Sequence, residues 1–221
     1  RNKDGYIKTL HLKSFKEVKE TCLFIDKNGL EVREIIILEA CDTDISSLDN
    51  KFLNILKHIS LKIKHLTISE FIAFELPLLK VDTLSLVIED NKHTDLNIEH
   101  IKNIFTSIIC LNLKGDMNPI HLEGLCEQIK TNTKLKYVTL KNMDINNYDK
   151  VKQIDTLFDS ILIKLEKLCI ENTNFHTYYN NAHFVHFHKI LYKVERLLLH
   201  DLDCSDDGMK NIYTCIEESK I

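Results

Sequence analysis

The densest group of side chains able to do chemistry lies between Phe175 and His188. His183, His186 and His188 fall within six residues, and His176, Tyr178 and Tyr179 stand just before them. A three-residue step puts His183 and His186 on one helix face, where two imidazoles could share a transition metal. No Cys pair or patterned carboxylate stands nearby, and His188 projects elsewhere on a helix. The competing reading is a polar helix surface on which Phe184 and Phe187 alternate with histidines, and whether this stretch holds a metal stays open in the sequence. Of the seven cysteines, Cys22, Cys126 and Cys215 fall on apolar helix stripes, where a free thiol packs as a small hydrophobe. Cys41 and Cys204 fall in turns. Cys110 and Cys169 are expected on an exposed strand face, yet neither has a neighbour that would activate it as a nucleophile. The chain has no C-x-x-C pair, no G-x-x-x-x-G-K phosphate loop, no G-x-S-x-G elbow and no H-E-x-x-H. Paired acids such as Asp206 and Asp207 are accounted for as helix-start charges. No catalytic residue, metal site or cofactor is assigned, and the chain is expected not to be an enzyme.

Composition narrows the remaining classes. Apolar residues make up 44% and charged residues 28% of 221, an ordinary balance for a soluble chain. No apolar run reaches the ~18 residues of a membrane helix. The formal net charge of -4 is spread evenly, with 15 Lys/Arg against 17 Asp/Glu in residues 1 to 110 and 14 against 16 in the remainder. Direct binding to nucleic acid is therefore not expected, because no polybasic surface is present. An odd cysteine count without a signal-like segment argues for a reducing compartment, cytoplasmic or nuclear. The chain opens on Arg1, enters a strand pattern almost at once, and ends at Ile221 directly after a helix pattern. It is expected to be a piece of a longer protein.

These side chains are set out along a repeating unit. Leu135, Val138 and Leu140 show apolar residues at places 1, 4 and 6, a short strand with one buried face, followed by Val151, Ile154, Leu157 and Phe158 at helical spacing. The strand pattern recurs with starts at Ile7, Val32, Ile63, Val81, Ile108, Leu135, Leu165 and Val194, at intervals of 25, 31, 18, 27, 27, 30 and 29 residues. Between the starts lie helix patterns over residues 16–26, 47–59, 96–107, 121–131, 182–192 and 206–218. Ser46, Ser47, Asp95, Asp149 and Ser205 stand ahead of several as caps. The short linker 71–80, with Pro77, predicts a turn in place of a helix. One strand plus one helix cannot bury its apolar face alone, so such units must stack.

A strand followed by a helix every 25 to 31 residues resembles the leucine-rich-repeat family, in its ribonuclease-inhibitor-like or cysteine-containing subtype. The segments Cys41 to Leu48 and Leu202 to Met209 are similar to that subtype's turn. The Asn or Cys that the family places ninth in the repeat is mostly missing: that place holds Phe15, Ala40, Phe71, Glu89, Asp116, Met143, Thr173 and Leu202. The resemblance implies an α/β fold, a single domain over residues 1–221. It would be a curved solenoid with about eight parallel strands on the concave face and helices on the convex face. Eight strands about 4.8 Å apart would make a surface roughly 34 Å across. On it, Tyr137 is ringed by Lys114, Lys136, Lys141, Lys167 and Arg196, the residue types that dominate interface energies. Outward-facing Ile36, Leu38, Val87, Ile88, Ile109 and Leu198 add apolar contact. The resemblance implies a scaffold or binding module that holds a protein partner on its concave face, with no small-molecule substrate and no membrane. Two other roles stay open: an accessory or inhibitory factor docked on a large assembly such as a ribosome or proteasome, and the substrate-recognition part of an F-box-type ubiquitin ligase.

Overall fold

The computed structural model describes residues 6–41, 45, 48–68, 79–87, 102–115, 119–145, 148–174 and 184–219. Strand and helix alternate through β1 (Tyr6–Ser14), α1 (Glu17–Lys27), β2 (Glu31–Cys41), α2 (Asn50–Leu56), β3 (Ser60–Ile68), β4 (Leu79–Val87), α3 (Lys102–Phe105), β5 (Cys110–Lys114), α4 (Pro119–Thr131), β6 (Tyr137–Lys141), α5 (Tyr148–Ser160), β7 (Lys167–Asn174), α6 (Phe184–Leu191), β8 (Leu197–Asp203) and α7 (Asp206–Ser219). The chain is α/β, and among the described residues eight strands form one sheet in sequence order. Parallel neighbours cannot be joined by a hairpin and need a crossover connection, usually a helix. The expected turn in the 71–80 linker lies outside the described residues. So do residues 96–101 of the expected 96–107 helix, of which α3 and the turn at 106–107 are described.

The contacts group into two compact units, Arg1–Ser85 with Thr94–Ile108 and Leu86–His93 with Ile109–Ile221. In the first, β1 and β2 run parallel with Ile7 opposite Val32, Thr9 opposite Glu34 and Leu10 opposite Ile35. The third repeat differs from its expected frame. Ile35 faces Leu61, Ile37 faces Ile63 and Ala40 faces Leu66, so Ile63 holds the sixth place and not the first, and the β2 to β3 offset is 26 residues (Glu34 to Ser60), not 31. The cause is the spacing itself. Buried positions step by three and two alternately, at 32, 35, 37 and 40 in β2 and at 61, 63, 66 and 68 in β3. A strand this long therefore offers two frames five residues apart, and both bury the same side chains.

The second unit explains why the step of three exists. Lys136 and Tyr137 both donate their backbone N–H to Ile109 O, at 2.8 and 3.1 Å, and Glu166 and Lys167 both donate to Lys136 O, at 2.9 and 3.1 Å. This is a bulge: two residues oppose one, and an extra residue enters between successive inward positions. Leu135 and Val138 are buried, as are Leu165 and Leu168, while the pair between them faces outward in both repeats. Leu111, Leu113, Val138, Leu140, Leu168 and Ile170 form the floor, none more than 1% exposed. Helices α4 to α7 cover that floor, each packed on the next, with Phe158 and Phe187 meeting at 6.1 Å between ring centres.

Strands β5 to β8 each meet a residue with positive φ, Gly115 (88°) and Asn142 (55°) just past the end of β5 and β6, Asn172 (48°) and Asp201 (49°) within β7 and β8. Gly, Asn and Asp tolerate this region best. Gly115 and Asn142 donate their N–H groups to Lys141 O and Glu171 O, at 3.0 and 3.1 Å, in the next strand. Asn172 Nδ2 donates to Asn142 Oδ1 at 2.8 Å. A repeat-specific asparagine is thus present in two repeats, in the eighth place and not the ninth. Met143 and Thr173, in the ninth, are buried. Asp49 caps α2, its carboxylate accepting from Lys51 N and Phe52 N, whereas Ser46 and Ser47 lie outside the described residues. Ser205 caps α7 as expected, accepting from Gly208 N at 3.3 Å.

Candidate functional site

Three outward positions on each strand of the second unit align across the sheet. Cys110, Tyr137 and Lys167 form one row, Asn112, Thr139 and Cys169 the next, and Lys114, Lys141 and Glu171 a third. The register of β7 with β8 extends the second and third rows to Leu198 and His200. It leads the first toward Arg196, just before β8. Bulges add Lys136 and Glu166 beside the first row. All six residues assigned to a binding surface from sequence fall in this region, none of them buried.

The carboxylates among them were not assigned from sequence, and they reorganise the group. Glu166 takes a hydrogen bond from Lys136 Nζ at 2.5 Å and another, very short, from the Tyr137 hydroxyl. Those bonds, Lys136 first, hold its carboxyl below the usual range. The same contact raises the Tyr137 phenol above its ordinary value. Lys141 Nζ lies 2.6 Å from Glu171 Oε1, and that bond lowers the Glu171 carboxyl. Tyr137 is thus a braced platform, not a free aromatic. Glu166 was findable: it occupies place 2 of its repeat, outward by the same rule as Lys136, and one strand over from Tyr137. Lys114, Lys167 and Arg196 have no carboxylate at ion-pair distance among the described residues. At the strand starts, Ile109, Thr133, Lys134, Lys136, Ile163, Lys164, Glu166 and Glu195 line an open cleft of about 520 Å³. A Lys164–Glu195 pair at 3.0 Å stands on its rim.

The first unit presents a different surface. Asp82 is held by Lys62 and Lys64 at 3.1 and 2.7 Å. Its partial burial pushes the carboxyl up, but the hydrogen bonds from Lys64 and Lys62 outweigh that and leave it lowered. Thr9 donates to Glu34 at 3.2 Å and His65 meets Ser85 at 2.8 Å. The third-repeat frame shift moves His65 beside Glu39 and brings Ser60 beside Glu34. Leu38 is exposed and Ile36 half-buried, as expected of outward positions, while Ile88 lies outside the described residues.

The thiols separate by burial. Cys22 is fully buried, which pushes its thiol up to about 11, and burial likewise raises Cys126 and Cys215. Cys110 and Cys169 are half-buried on the outward face, and Cys110 Sγ donates to Asn112 Oδ1 at 3.5 Å. His176 and His183 lie outside the described residues. His186 Nδ1 approaches Asp159 of α5 at 2.9 Å and His188 Nε2 approaches Glu218 of α7 at 3.4 Å, both without hydrogen-bond alignment. The two rings thus address different neighbouring helices, and no group of three metal-ligating side chains occurs among the described residues. No described helix is long and apolar enough to cross a membrane.

Fold and face together define an α/β protein with a parallel sheet and an outward ladder of polar, basic and apolar side chains. Comparison with known protein families and with curated proteins finds no match to the chain.

Proposed function

We propose that the chain is a divergent leucine-rich-repeat solenoid acting as a non-catalytic protein-interaction module, its partner seated on the outward face of β5 to β8, the concave face in that architecture. The observation that carries this reading is a contradiction in the side chains of that face. Its carboxylates Glu166 and Glu171 are consumed by internal bonds, while Lys114, Lys167 and Arg196 are left without one among the described residues and Leu198 stays 47% exposed. Nothing in the fold needs such a set there. A braced Tyr, an Arg and an exposed Leu on rigid strands are the groups from which interface hot spots are made. Ladder offsets of 25 (Ile7 to Val32), 26 (Glu34 to Ser60), 27 (Cys110 to Tyr137), 30 (Tyr137 to Lys167) and 29 (Leu168 to Leu197) support the repeat architecture. Seven free cysteines fit a reducing compartment. The test is native pull-down with mass spectrometry on the parent chain and on Tyr137→Ala/Arg196→Ala. Loss of specific proteins from the variant is the expected result, and unchanged retention overturns the assignment of the face.

A further inference from the structure

Resting on that reading, we infer that the occupant of this face is a short acidic peptide segment, anchored by one bulky apolar side chain in the cleft at the strand starts. Three observations converge on it.

The first is size. Four strands about 4.8 Å apart, each presenting about five residues at 3.3 Å, give a plan area of roughly 300 Å². A stable interface between folded domains takes about 800 Å² from each side. A peptide fits this face by itself better than a globular surface does.

The second is charge. The twelve outward positions of the grid hold Lys114, Lys141, Lys167 and Arg196 against Glu171 alone. Glu171 is committed to Lys141, and Lys136 beside the grid is committed to Glu166. Lys114, Lys167 and Arg196 are the unspent cations: Lys167 on β7 and Arg196 just before β8 are neighbours, and Lys114 lies about 13 Å further along the strand direction. Arg196 is close enough to help hold Glu166 ionised, so it adjoins the cleft. Carboxylates spaced along a peptide match this arrangement. A phosphate backbone matches it worse: three cations without a carboxylate partner among the described residues are few for a polyanion whose binding takes many phosphate contacts, and the grid offers base stacking one tyrosine, tied by its hydroxyl to Glu166.

The third is the cleft itself. Ile109 and Ile163 give it apolar walls, and the Lys136–Glu166 and Lys164–Glu195 pairs border it. Its volume of about 520 Å³ is within the range of small-ligand sites and admits a Leu, Ile or Phe side chain. The charges at the border are paired and so favour an occupant of neither sign, while Lys134 adds a further cation to the lining.

The experiment is selection of a random peptide display library on the whole chain. It is followed by fluorescence titration of one enriched synthetic peptide against the chain and against Lys167→Glu/Arg196→Glu and Ile163→Ser, with thermal melts confirming that both variants fold. Enriched peptides are expected to carry an excess of Asp and Glu with at least one Leu, Ile or Phe, and to weaken about tenfold or more on each variant. Enrichment of neutral or basic peptides that Tyr137→Ala/Arg196→Ala abolishes would overturn the acidic occupant and leave the binding face standing. No enrichment, with native partners still lost from that variant, overturns the peptide and not the face. Single-stranded RNA that binds in competition and is released by Lys167→Glu/Arg196→Glu replaces the peptide with a nucleic acid. No peptide and no change in retained proteins removes both readings.

Discussion

Asn142, Asn172 and Asp201 hold backbone angles that a β-branched side chain resists, because Cβ then crowds the following carbonyl. Asn172→Val is expected to lower stability by about 1–2 kcal/mol, read from urea unfolding, whereas Asn172→Gly should cost little, losing only the side-chain bond to Asn142. Equal effects of the two substitutions would remove the backbone explanation. The asparagines are plain in the sequence, but one place ahead of where the family resemblance looks for them, so their role is legible only once φ is known. The thiols were easier to read. Cys22, Cys126 and Cys215 fall on apolar stripes in the sequence and are buried in the fold. Native-state labelling with a maleimide at neutral pH is expected to modify Cys110 and Cys169 before these three, and Cys22 last, since its thiol stays protonated up to about 11. Rapid labelling of Cys22 in the folded chain would contradict its placement.

At the scale of elements, the bulge is what turns a strand into a repeat with two adjacent outward side chains. It was visible in the sequence as a step of three between apolar residues, and the strand cores followed from it directly. Its register was not. In β2 and β3 the alternating steps of three and two permit two frames, and only the ladder hydrogen bonds choose between them. The bulge also explains why the acidic half of the site was missed, because place 2 of one repeat meets places 2 and 3 of the repeat before it. That contact has a pH signature. Glu166 and Glu171 have lowered carboxyl values in the folded chain, so their contribution is complete above the unfolded carboxylate value, about 4.3, and is lost as pH falls through the lower folded value. The melting difference between the parent chain and Glu166→Gln should therefore shrink toward zero between neutral and strongly acidic pH, and a difference that grows in acid would reverse the sign of the pairing. The turn from α4 into β6 offers a larger effect. Asn132 is 2% exposed, and its Oδ1 accepts from Lys134 N at 2.6 Å and Leu135 N at 2.9 Å. Asn132→Ala strands buried backbone donors and is expected to cost about 1–3 kcal/mol in urea unfolding, against a few tenths for the exposed Thr133→Ala.

Taken whole, the molecule is slightly acidic, with a net charge of -4 and an isoelectric point near 6.3, yet its outward ladder over β5 to β8 is basic. Beyond Glu166 and Glu171, which are bonded to lysines of that face, acids gather on α7, which carries Asp206, Asp207, Glu217 and Glu218 against Lys210. Composition could not reveal this separation, because each half of the sequence balances to the same small deficit. It emerges only when alternate strand residues are sorted by the side they face. On the proposal above, this arrangement would steer an acidic partner toward the ladder and away from α7, and steering acts on encounter more than on the lifetime of the complex. For the acidic peptide proposed above, raising salt from about 50 to 200 mM is expected to slow association severalfold while changing dissociation less, since charges more than a Debye length of about 8–10 Å apart are then screened. Ile163→Ser should do the opposite, speeding dissociation with little effect on association, because the cleft contact forms only after docking. Stopped-flow measurement of both rates separates the two contributions. Salt acting only on dissociation would mean that the cations of the face bind without steering, and the separation of charge would then have no part in how the partner is found.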